Sequence, residues 1–365
     1  MKVAAADPED PHRIEIATEP DAHGDRADAA SPTTVETRTA EPSEPRAPPR
    51  PSRPVPQVRD GRYELLSEHG RGGIGCVYRA RDHELDRDVA IKKLISRGDV
   101  TEMRFFREAS ITARLEHPGI VPVHEAGWWS DGAPFYAMKL IAGRPLRDLI
   151  AERPTVEQRL GLLHHVIAVA DAIAYAHARK VIHRDLKPSN VIVGEFGETV
   201  VIDWGLAKDL TATESLDDSG GGALPTHRDD GLTSAGSVLG TPGYMAPEQR
   251  RGGAVDQRAD VFAIGMMLWQ LCSLESAVPA DPLQRRAMLR RARVDDDLIA
   301  ILDKAIADDP QHRYRDAGAL VADLRAFTSG ARIGARRYSP FAVVTHWLRR
   351  HRMLAISAAR RLPAG

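Results

Sequence analysis

One short polar run contains several groups that could act together in a reaction. The sequence HRDLKPSN, at 183–190, holds a carboxylate at Asp185, an ammonium at Lys187 and an amide at Asn190. The alternative is a solvated loop that merely ends a helix. In that case the close spacing of these chemically distinct groups would be a coincidence. We therefore predict an active-site segment in which Asp185 serves as an acid or a base.

A second carboxylate, Asp203, follows at a distance that suits a β-hairpin. Two β-branched stretches, VIV at 191–193 and VVI at 200–202, flank a turn that contains glycine. Pairing of these stretches would bring Asn190 and Asp203 together at the end of the hairpin. A carboxylate and an amide oxygen suit Mg²⁺, which prefers a few protein oxygens and completes its shell with phosphates and water. The sequence therefore predicts a magnesium site.

A glycine-rich stretch upstream is suited to binding phosphate. The sequence GRGGIGCV, at 70–77, contains Gly70, Gly72 and Gly75, and such spacing lets the backbone approach a polyphosphate with its N–H groups turned toward it. A strand-like stretch at 88–93 comes next, whereas a dinucleotide-binding fingerprint requires a helix there. We predict that these glycines form a hairpin lid.

A lysine and a glutamate complete the predicted cleft. Lys92 ends the apolar strand at 88–93, and Glu108 lies in a stretch at 101–115 with helical spacing. An ion pair with Glu108 would hold the ammonium in place beside phosphate; the alternative for Lys92 is a surface position at a strand edge. The apolar face of the helix is predicted to consist of Met103, Phe106, Ile111 and Leu115.

The remaining elements divide into a β-rich part and a helical part. Further strands are predicted at 121–125 and 134–140, and a joint at 143–145 leads to helices at 146–150, 158–180, 260–271, 297–306 and 317–327. His164, His165 and His177 lie on or beside the second helix. They lack the carboxylate and cysteine neighbours of a metal site, so we interpret them as structural.

The composition excludes several classes of protein. The 365 residues carry 50 basic and 51 acidic side chains, a net charge of -1 that gives no reason to expect nucleic acid as a partner. Two cysteines suit a reducing compartment. The N-terminus has no signal-like apolar run, and no uninterrupted apolar stretch reaches the roughly 20 residues needed to cross a bilayer. We predict a soluble, cytoplasmic protein with a disordered, proline-rich tail at 1–60.

With these motifs in this order, and with GTPGYMAPE at 240–248, the chain from 63 to 327 resembles a bacterial eukaryotic-like (Hanks-type) serine/threonine protein kinase. The resemblance implies an α+β, two-lobed protein kinase fold over 61–330. A small β-rich N-lobe (61–142) would precede a larger helical C-lobe (143–330), with an activation segment at 203–248. It further implies ATP and Mg²⁺ as cofactors and proteins bearing Ser or Thr as substrates.

The resemblance also assigns roles to individual positions. The residues implied for catalysis are Asp185, Lys187, Lys92 and Glu108, and those implied for the metal are Asn190 and Asp203. The nucleotide would contact Gly70, Gly72, Gly75, Val77, Ala90, Lys92, Lys139, Ile141 and Ile192, beside Met138 as the gatekeeper. Two supporting contacts are also implied: a buried ion pair between Glu248 and Arg313, and a brace from Asp260 to the backbone of His183 and Arg184.

Three positions depart from the family pattern. His69 replaces an aliphatic residue before the glycine loop, Trp204 replaces the usual Phe after Asp203, and Thr112 replaces a larger apolar residue one turn after Glu108. All of the implied catalytic residues are nevertheless present. The alternative function, a pseudokinase that binds nucleotide as a scaffold, would predict the loss of one of them, and GTPGYMAPE disfavours a small-molecule kinase.

Regulation is implied by Arg184, which precedes Asp185 as it does in kinases activated by phosphorylation. The predicted acceptors are Thr233, Ser234 and Ser237, modified by self-association and trans-autophosphorylation. The arginine-rich segment at 331–365 resembles a juxtamembrane segment. Either residues 332–365 make weak contact with the inner membrane face, or the protein is fully soluble, which we favour.

Overall fold

The structure is a computed structural model that describes residues 61–71, 75–95, 98–211, 243–273, 275 and 278–336. Several sequence predictions lie outside these residues: the disordered tail at 1–60, Gly72 of the glycine loop, most of the basic tail, and most of the activation segment, including Thr233, Ser234 and Ser237. Every residue predicted for catalysis or for the metal lies within the described ranges.

The N-lobe is built on a five-stranded antiparallel sheet in the order β1-β2-β3-β5-β4. Its strands are β1 (Tyr63–Arg71), β2 (Gly75–Asp82), β3 (Arg87–Leu94), β4 (Val123–Trp128) and β5 (Pro134–Lys139). Side chains alternate between the two faces of a strand, so Val89 and Ile91 pack into a small core on one face. Lys92 therefore belongs to the other face.

The helix predicted at 101–115 is present as α1 (Asp99–Ala113) and packs on the sheet. Its buried face contains Phe105, Glu108, Ala109 and Thr112, which are spaced three and four residues apart as one side of a helix requires. The prediction that Met103 lies on this face was wrong. Its side chain is 55% exposed, because the helical period turns position 103 to the opposite side.

The C-lobe is helical and contains the largest core of the described chain. Its helices are α2 (Leu146–Ala151), α3 (Val156–Leu160), α4 (Leu163–Ala178), α5 (Pro247–Arg250), α6 (Gln257–Cys272), α7 (Pro282–Arg291), α8 (Asp296–Ala305) and α9 (Ala317–Thr328). The single helix predicted at 158–180 is in fact two helices. The break follows α3, where Leu162 N–H bonds to the carbonyl of Arg159 in a tightened turn.

By length and composition alone, Val156–Ala178 could cross a membrane. In its most apolar 18-residue window 56% is buried inside the described fold, and α4 supplies fully buried residues to the C-lobe core. Its apolar character is therefore accounted for by packing.

Short strands connect the lobes and carry the polar run. The predicted hairpin is confirmed: β8 (Val191–Gly194) pairs antiparallel with β9 (Thr199–Val201), and β6 (Gly143–Pro145), the predicted joint, pairs with β8. A second antiparallel pair joins β7 (Val181–Ile182), which lies directly before the polar run at 183–190, to β10 (Lys208–Asp209).

The packed chain continues past the predicted domain boundary at 330. Ile333 is buried in the C-lobe core, and the backbone N–H groups of Gly334 and Ala335 donate to the Asp323 carboxylate of α9 at 2.6 and 2.8 Å. Residues 331–336 thus lie against the C-lobe.

Candidate active site

The predicted ion pair between Lys92 and Glu108 is present. Lys92 Nζ lies 2.6 Å from Glu108 Oε1 and 3.5 Å from Asp203 Oδ1, so one ammonium joins the sheet, helix α1 and the segment after the hairpin. Burial alone would lower the pKa of the Lys92 ammonium. The Glu108 carboxylate, aided by Tyr136 and Asp203, outweighs burial and raises that pKa well above its ordinary value. Lys92 is therefore a fixed positive charge in the cleft.

The polar run is held by a buried carboxylate on α6. Asp260 accepts backbone N–H bonds from His183 at 2.8 Å and Arg184 at 2.9 Å, which confirms the predicted brace. It also contacts His177 Nε2 at 2.9 Å, and His177 Nδ1 accepts the N–H of Ala317 at 3.1 Å. Arg184 has a φ of +70°, a left-handed conformation that costs energy in a residue with a side chain. The brace from Asp260 offsets that cost.

Asp185, Lys187 and Asn190 converge as predicted. Lys187 Nζ donates to Asp185 Oδ2 at 2.8 Å, and Asn190 Nδ2 donates to the Asp185 carbonyl at 2.9 Å. Because the amide nitrogen of Asn190 faces the Asp185 carbonyl, its amide oxygen faces away from that carbonyl. The short helical turn Pro188–Asn190 gives the run this compact shape.

Asp203 has the properties of a metal ligand. Its side chain is 48% exposed, and its φ of +60° projects it out of the line of β9. The positive charge of Lys92 lowers the pKa of this carboxyl, so the carboxylate is ionised. The N–H of Ile202 donates to the Asn190 carbonyl at 2.9 Å, so Asp203 and Asn190 lie at the same end of the hairpin. A carboxylate and an amide oxygen would suit Mg²⁺, since this ion takes its remaining ligands from phosphate and water.

The histidines of α4 have partners other than metal ligands. Within the described ranges, no group of three or more His, Cys, Asp or Glu side chains is arranged to hold an ion. His177 pairs with Asp260, and His165 Nδ1 lies 2.8 Å from the hydroxyl of Thr199. These histidines have structural partners, as the sequence indicated.

Trp204 follows Asp203 and is almost fully buried. Its ring lies 4.7 Å from that of His183, so the polar run packs directly on the residue that adjoins the metal ligand. Its indole N–H has no acceptor among the described residues. The Trp204 side chain is thus directed into the interior, while the neighbouring Asp203 carboxylate faces Lys92.

Three of the residues predicted to contact the nucleotide lie on strands. Val77 on β2 and Ile192 on β8 are partly exposed, and Ala90 on β3 is buried. The backbone N–H of Lys139 donates a hydrogen bond to the Pro122 carbonyl at 3.0 Å. A Cβ at Gly75 would lie 2.9 Å from the Lys93 carbonyl, so only glycine permits this approach of β2 to β3.

Three further features singled out in the sequence can be compared with the structure. Arg313 and Glu248 form a bidentate ion pair with N–O distances of 2.7 and 2.8 Å, as predicted. Thr112 donates its hydroxyl to the Glu108 carbonyl at 2.8 Å and is buried, so it replaces apolar bulk with a hydrogen bond inside α1. His69 lies exposed on β1.

Sequence reasoning missed Tyr136. Its hydroxyl donates to Glu108 Oε1 at 2.8 Å from within β5. The only available signal was its position in an otherwise apolar strand, PFYAM at 134–138, where a buried phenol needs an acceptor.

Comparison with known proteins gives a consistent result. A family model described as a protein kinase domain matches residues 63–337. The chain is 32% identical over 297 residues to serine/threonine-protein kinase PknD of Chlamydia caviae, covering 74% of this chain and 31% of that protein. It is 36% identical over 289 residues to serine/threonine-protein kinase pkn3 of Myxococcus xanthus, covering 73% and 50%. The chain thus spans less than a third of the PknD sequence.

Solved structures agree with these sequence relatives. The kinase domain of PknI from Mycobacterium tuberculosis matches with a TM-score of 0.53 and 26% identity, over 73% of this chain and 97% of that one. The similarity therefore covers both lobes of a complete domain of known structure.

Proposed function

The chain belongs to the protein kinase family, with relatives in the bacterial serine/threonine class, and we propose that it transfers the γ-phosphate of ATP to serine or threonine hydroxyls of proteins. The observation that carries this proposal is the position of Lys92, paired with Glu108 at 2.6 Å and lying 3.5 Å from Asp203. Phosphoryl transfer depends on positioning and charge neutralisation, and this arrangement supplies both.

The roles of the polar residues follow from their chemistry. Asp185 would accept a hydrogen bond from the substrate hydroxyl and orient its oxygen for attack. Lys187, now hydrogen bonded to Asp185, would share its ammonium with the γ-phosphate. Asn190 and Asp203 would hold Mg²⁺, which when bound neutralises the charge of the phosphate oxygens.

The nucleotide would lie between the two lobes. Its phosphates would contact the glycine loop and Lys92, and its base would lie between Val77 and Ala90 on one side and Ile192 on the other. The backbone of Lys139 and Ile141 would bind the adenine edge. The N–H of Lys139 is already bonded to Pro122, so its carbonyl is the group suited to an adenine donor.

The competing function is a scaffold that binds nucleotide without transferring phosphate. The test is transfer from ATP to the protein itself and to a generic basic protein, with Asp185→Asn and Lys92→Met beside the wild type. We expect each variant to lose at least about 100-fold in rate, because each removes a group that acts on the reacting atoms. Nucleotide binding to the wild type without transfer would favour the scaffold.

Activation by phosphorylation is also proposed. The Nε–H of Arg184 is buried and has no acceptor among the described residues, which suits a guanidinium awaiting an anion. Thr233, Ser234 and Ser237 are the proposed acceptors, modified by a second copy of the chain. Mass spectrometry that finds all three unmodified in fully active protein would contradict this assignment.

For the cellular location we propose the cytoplasm, because the cysteine content of the chain suits a reducing compartment. The alternative involves the basic segment at 332–365, which could contact an anionic membrane surface. Salt-sensitive flotation with anionic vesicles, abolished by deletion of 332–365, would support that alternative.

A further inference from the structure

Tyr136 contacts the carboxylate on which the alignment of Lys92 depends. Its hydroxyl donates to Glu108 Oε1 at 2.8 Å, and Lys92 Nζ contacts the same oxygen at 2.6 Å. One carboxylate oxygen therefore accepts two bonds, one from an ammonium and one from a phenol. The second oxygen, Oε2, is buried and has no hydrogen-bond partner among the described residues. The geometry of the ion pair thus rests on Oε1.

Sheet register explains why these groups meet. Lys92 on β3 and Tyr136 on β5 are directly opposite one another in the antiparallel ladder, so their side chains leave the same face of the sheet side by side. Both reach toward α1, which lies against that face. Glu108 is held by two neighbouring strands, each contributing one donor.

The phenol is well placed to act as a rigid donor. Tyr136 is only 4% exposed, and its ring packs 5.1 Å from that of Phe105 on α1. The ring has no freedom to swing away, so the hydroxyl stays at the carboxylate. A hydrogen bond to an ionised group in a buried site is stronger than one in water.

We propose that Tyr136 is a positioning residue of the phosphoryl-transfer site, whose hydroxyl holds Glu108 in the rotamer that pairs with Lys92. The proposal rests on the proposed kinase function for its catalytic consequence.

The decisive variant is Tyr136→Phe, which removes the hydroxyl and keeps the ring. Without this bond Glu108 samples other rotamers, so fewer enzyme–ATP complexes are aligned for transfer. We expect kcat to fall about tenfold, with a smaller change in KM for ATP because the lid and the adenine contacts remain. Tyr63→Phe is the matched control. It removes a hydroxyl that donates to Glu125 at 2.8 Å on the other face of the same sheet, and it should leave kcat unchanged.

A second measurement does not depend on transfer. Acylation of Lys92 by an amine-reactive reagent, without nucleotide and quantified by mass spectrometry, reports how firmly the ammonium is paired. The rate should rise several-fold in Tyr136→Phe and stay at the wild-type value in Tyr63→Phe. In a Glu108→Ala background, where no carboxylate remains to be positioned, Tyr136→Phe should add less than about twofold.

The outcomes separate the two proposals. If Tyr136→Phe matches Tyr63→Phe in both kcat and Lys92 acylation, or if its effect on acylation is the same with and without Glu108, the positioning role is wrong. If the wild type shows no phosphoryl transfer, the proposed function fails, and Lys92 acylation still decides the role of Tyr136. Circular dichroism of each variant distinguishes loss of positioning from loss of fold.

Discussion

Buried histidines show how single side chains of this protein tie its function to its fold. His177 links Asp260, and through it the polar run, to the start of α9. His165 lies in the core beside Thr199 and contributes to the packing of α4 on β9. Burial, with a smaller effect from His164, lowers the pKa of His165 to about 4. This imidazole is neutral in the folded protein at physiological pH.

The lowered pKa of His165 predicts a loss of stability in mild acid. Between pH 6.5 and pH 4 the unfolded chain binds a proton at this position that the folded chain does not, so stability falls as the pH falls. With an unfolded pKa near 6.5, the loss between pH 8 and pH 5 is up to about 2 kcal/mol. Urea unfolding of the wild type and His165→Gln at both pH values measures it.

We expect His165→Gln to be less stable than the wild type at pH 8 and to lose less of its remaining stability at pH 5. His312, which is 77% exposed, provides the control, and His312→Gln should follow the wild type at both pH values. Equal losses in all three proteins would show that His165 is not the titrating group.

The elements that position the site were largely predictable, because their signals are local. The hairpin that brings Asn190 and Asp203 together follows from two β-branched stretches around a turn, and the position of Glu108 follows from the helical period of 101–115. Tyr136 was missed since its role depends on register between β3 and β5, which no local pattern specifies. The pairing of Arg313 with Glu248 is likewise non-local, and only the family resemblance indicated it.

Arg313 joins four segments of the C-lobe, so its removal should be costly. Besides its bidentate pair with Glu248, the guanidinium donates to the carbonyls of Arg258, Ala307 and Asp308, and its side chain is fully buried. Arg313→Met should lower the free energy of unfolding by about 3–5 kcal/mol, because Glu248 and these carbonyls lose their common donor. Urea titration measures the change.

Arg325→Met is the control for Arg313. Arg325 pairs with Asp171 at 2.7 Å, but its side chain is 64% exposed, and such surface pairs contribute about 0–1 kcal/mol. The Arg313 variant should also lose activity, since Gln249, next to Glu248, donates to the Arg184 carbonyl at 2.7 Å. A change under about 1 kcal/mol for Arg313→Met would contradict its structural role.

The two lobes are joined behind the cleft as well as at 143–145. The N–H of Val121 donates to the Val201 carbonyl at 3.1 Å, and the N–H of Val201 donates to the Gly119 carbonyl at 2.8 Å. Arg114, at the end of α1, pairs with Asp209 of β10 at 2.9 Å. This pair joins the end of α1 to the C-lobe, but the Arg114 side chain is 61% exposed, so the contact contributes only about 0–1 kcal/mol.

At its far end the C-lobe depends on residues beyond the predicted boundary. Asp323 is buried and accepts bonds from Tyr314, Gly334 and Ala335 at 2.8, 2.6 and 2.8 Å, and Ile333 fills the core beside it. Loss of 331–336 would leave a buried carboxylate with Tyr314 as its remaining donor from this set. It would also expose the apolar surface that Ile333 covers.

A chain that ends at residue 330 should therefore be less stable than one that ends at 336. We expect a difference of about 3 kcal/mol or more in the free energy of unfolding, from the lost apolar burial and the unsatisfied carboxylate of Asp323. Ile333→Ala in the full chain should reproduce about 2 kcal/mol or more of it, because a buried aliphatic side chain leaves a cavity when truncated. Urea titrations of the chain ending at 330, the chain ending at 336 and the Ile333→Ala variant provide the comparison. The exposed Leu283→Ala is the control. Equal midpoints for the chains ending at 330 and 336 would place the end of the folded C-lobe at 330, and the contacts of Asp323 with 334 and 335 would then contribute nothing to folding.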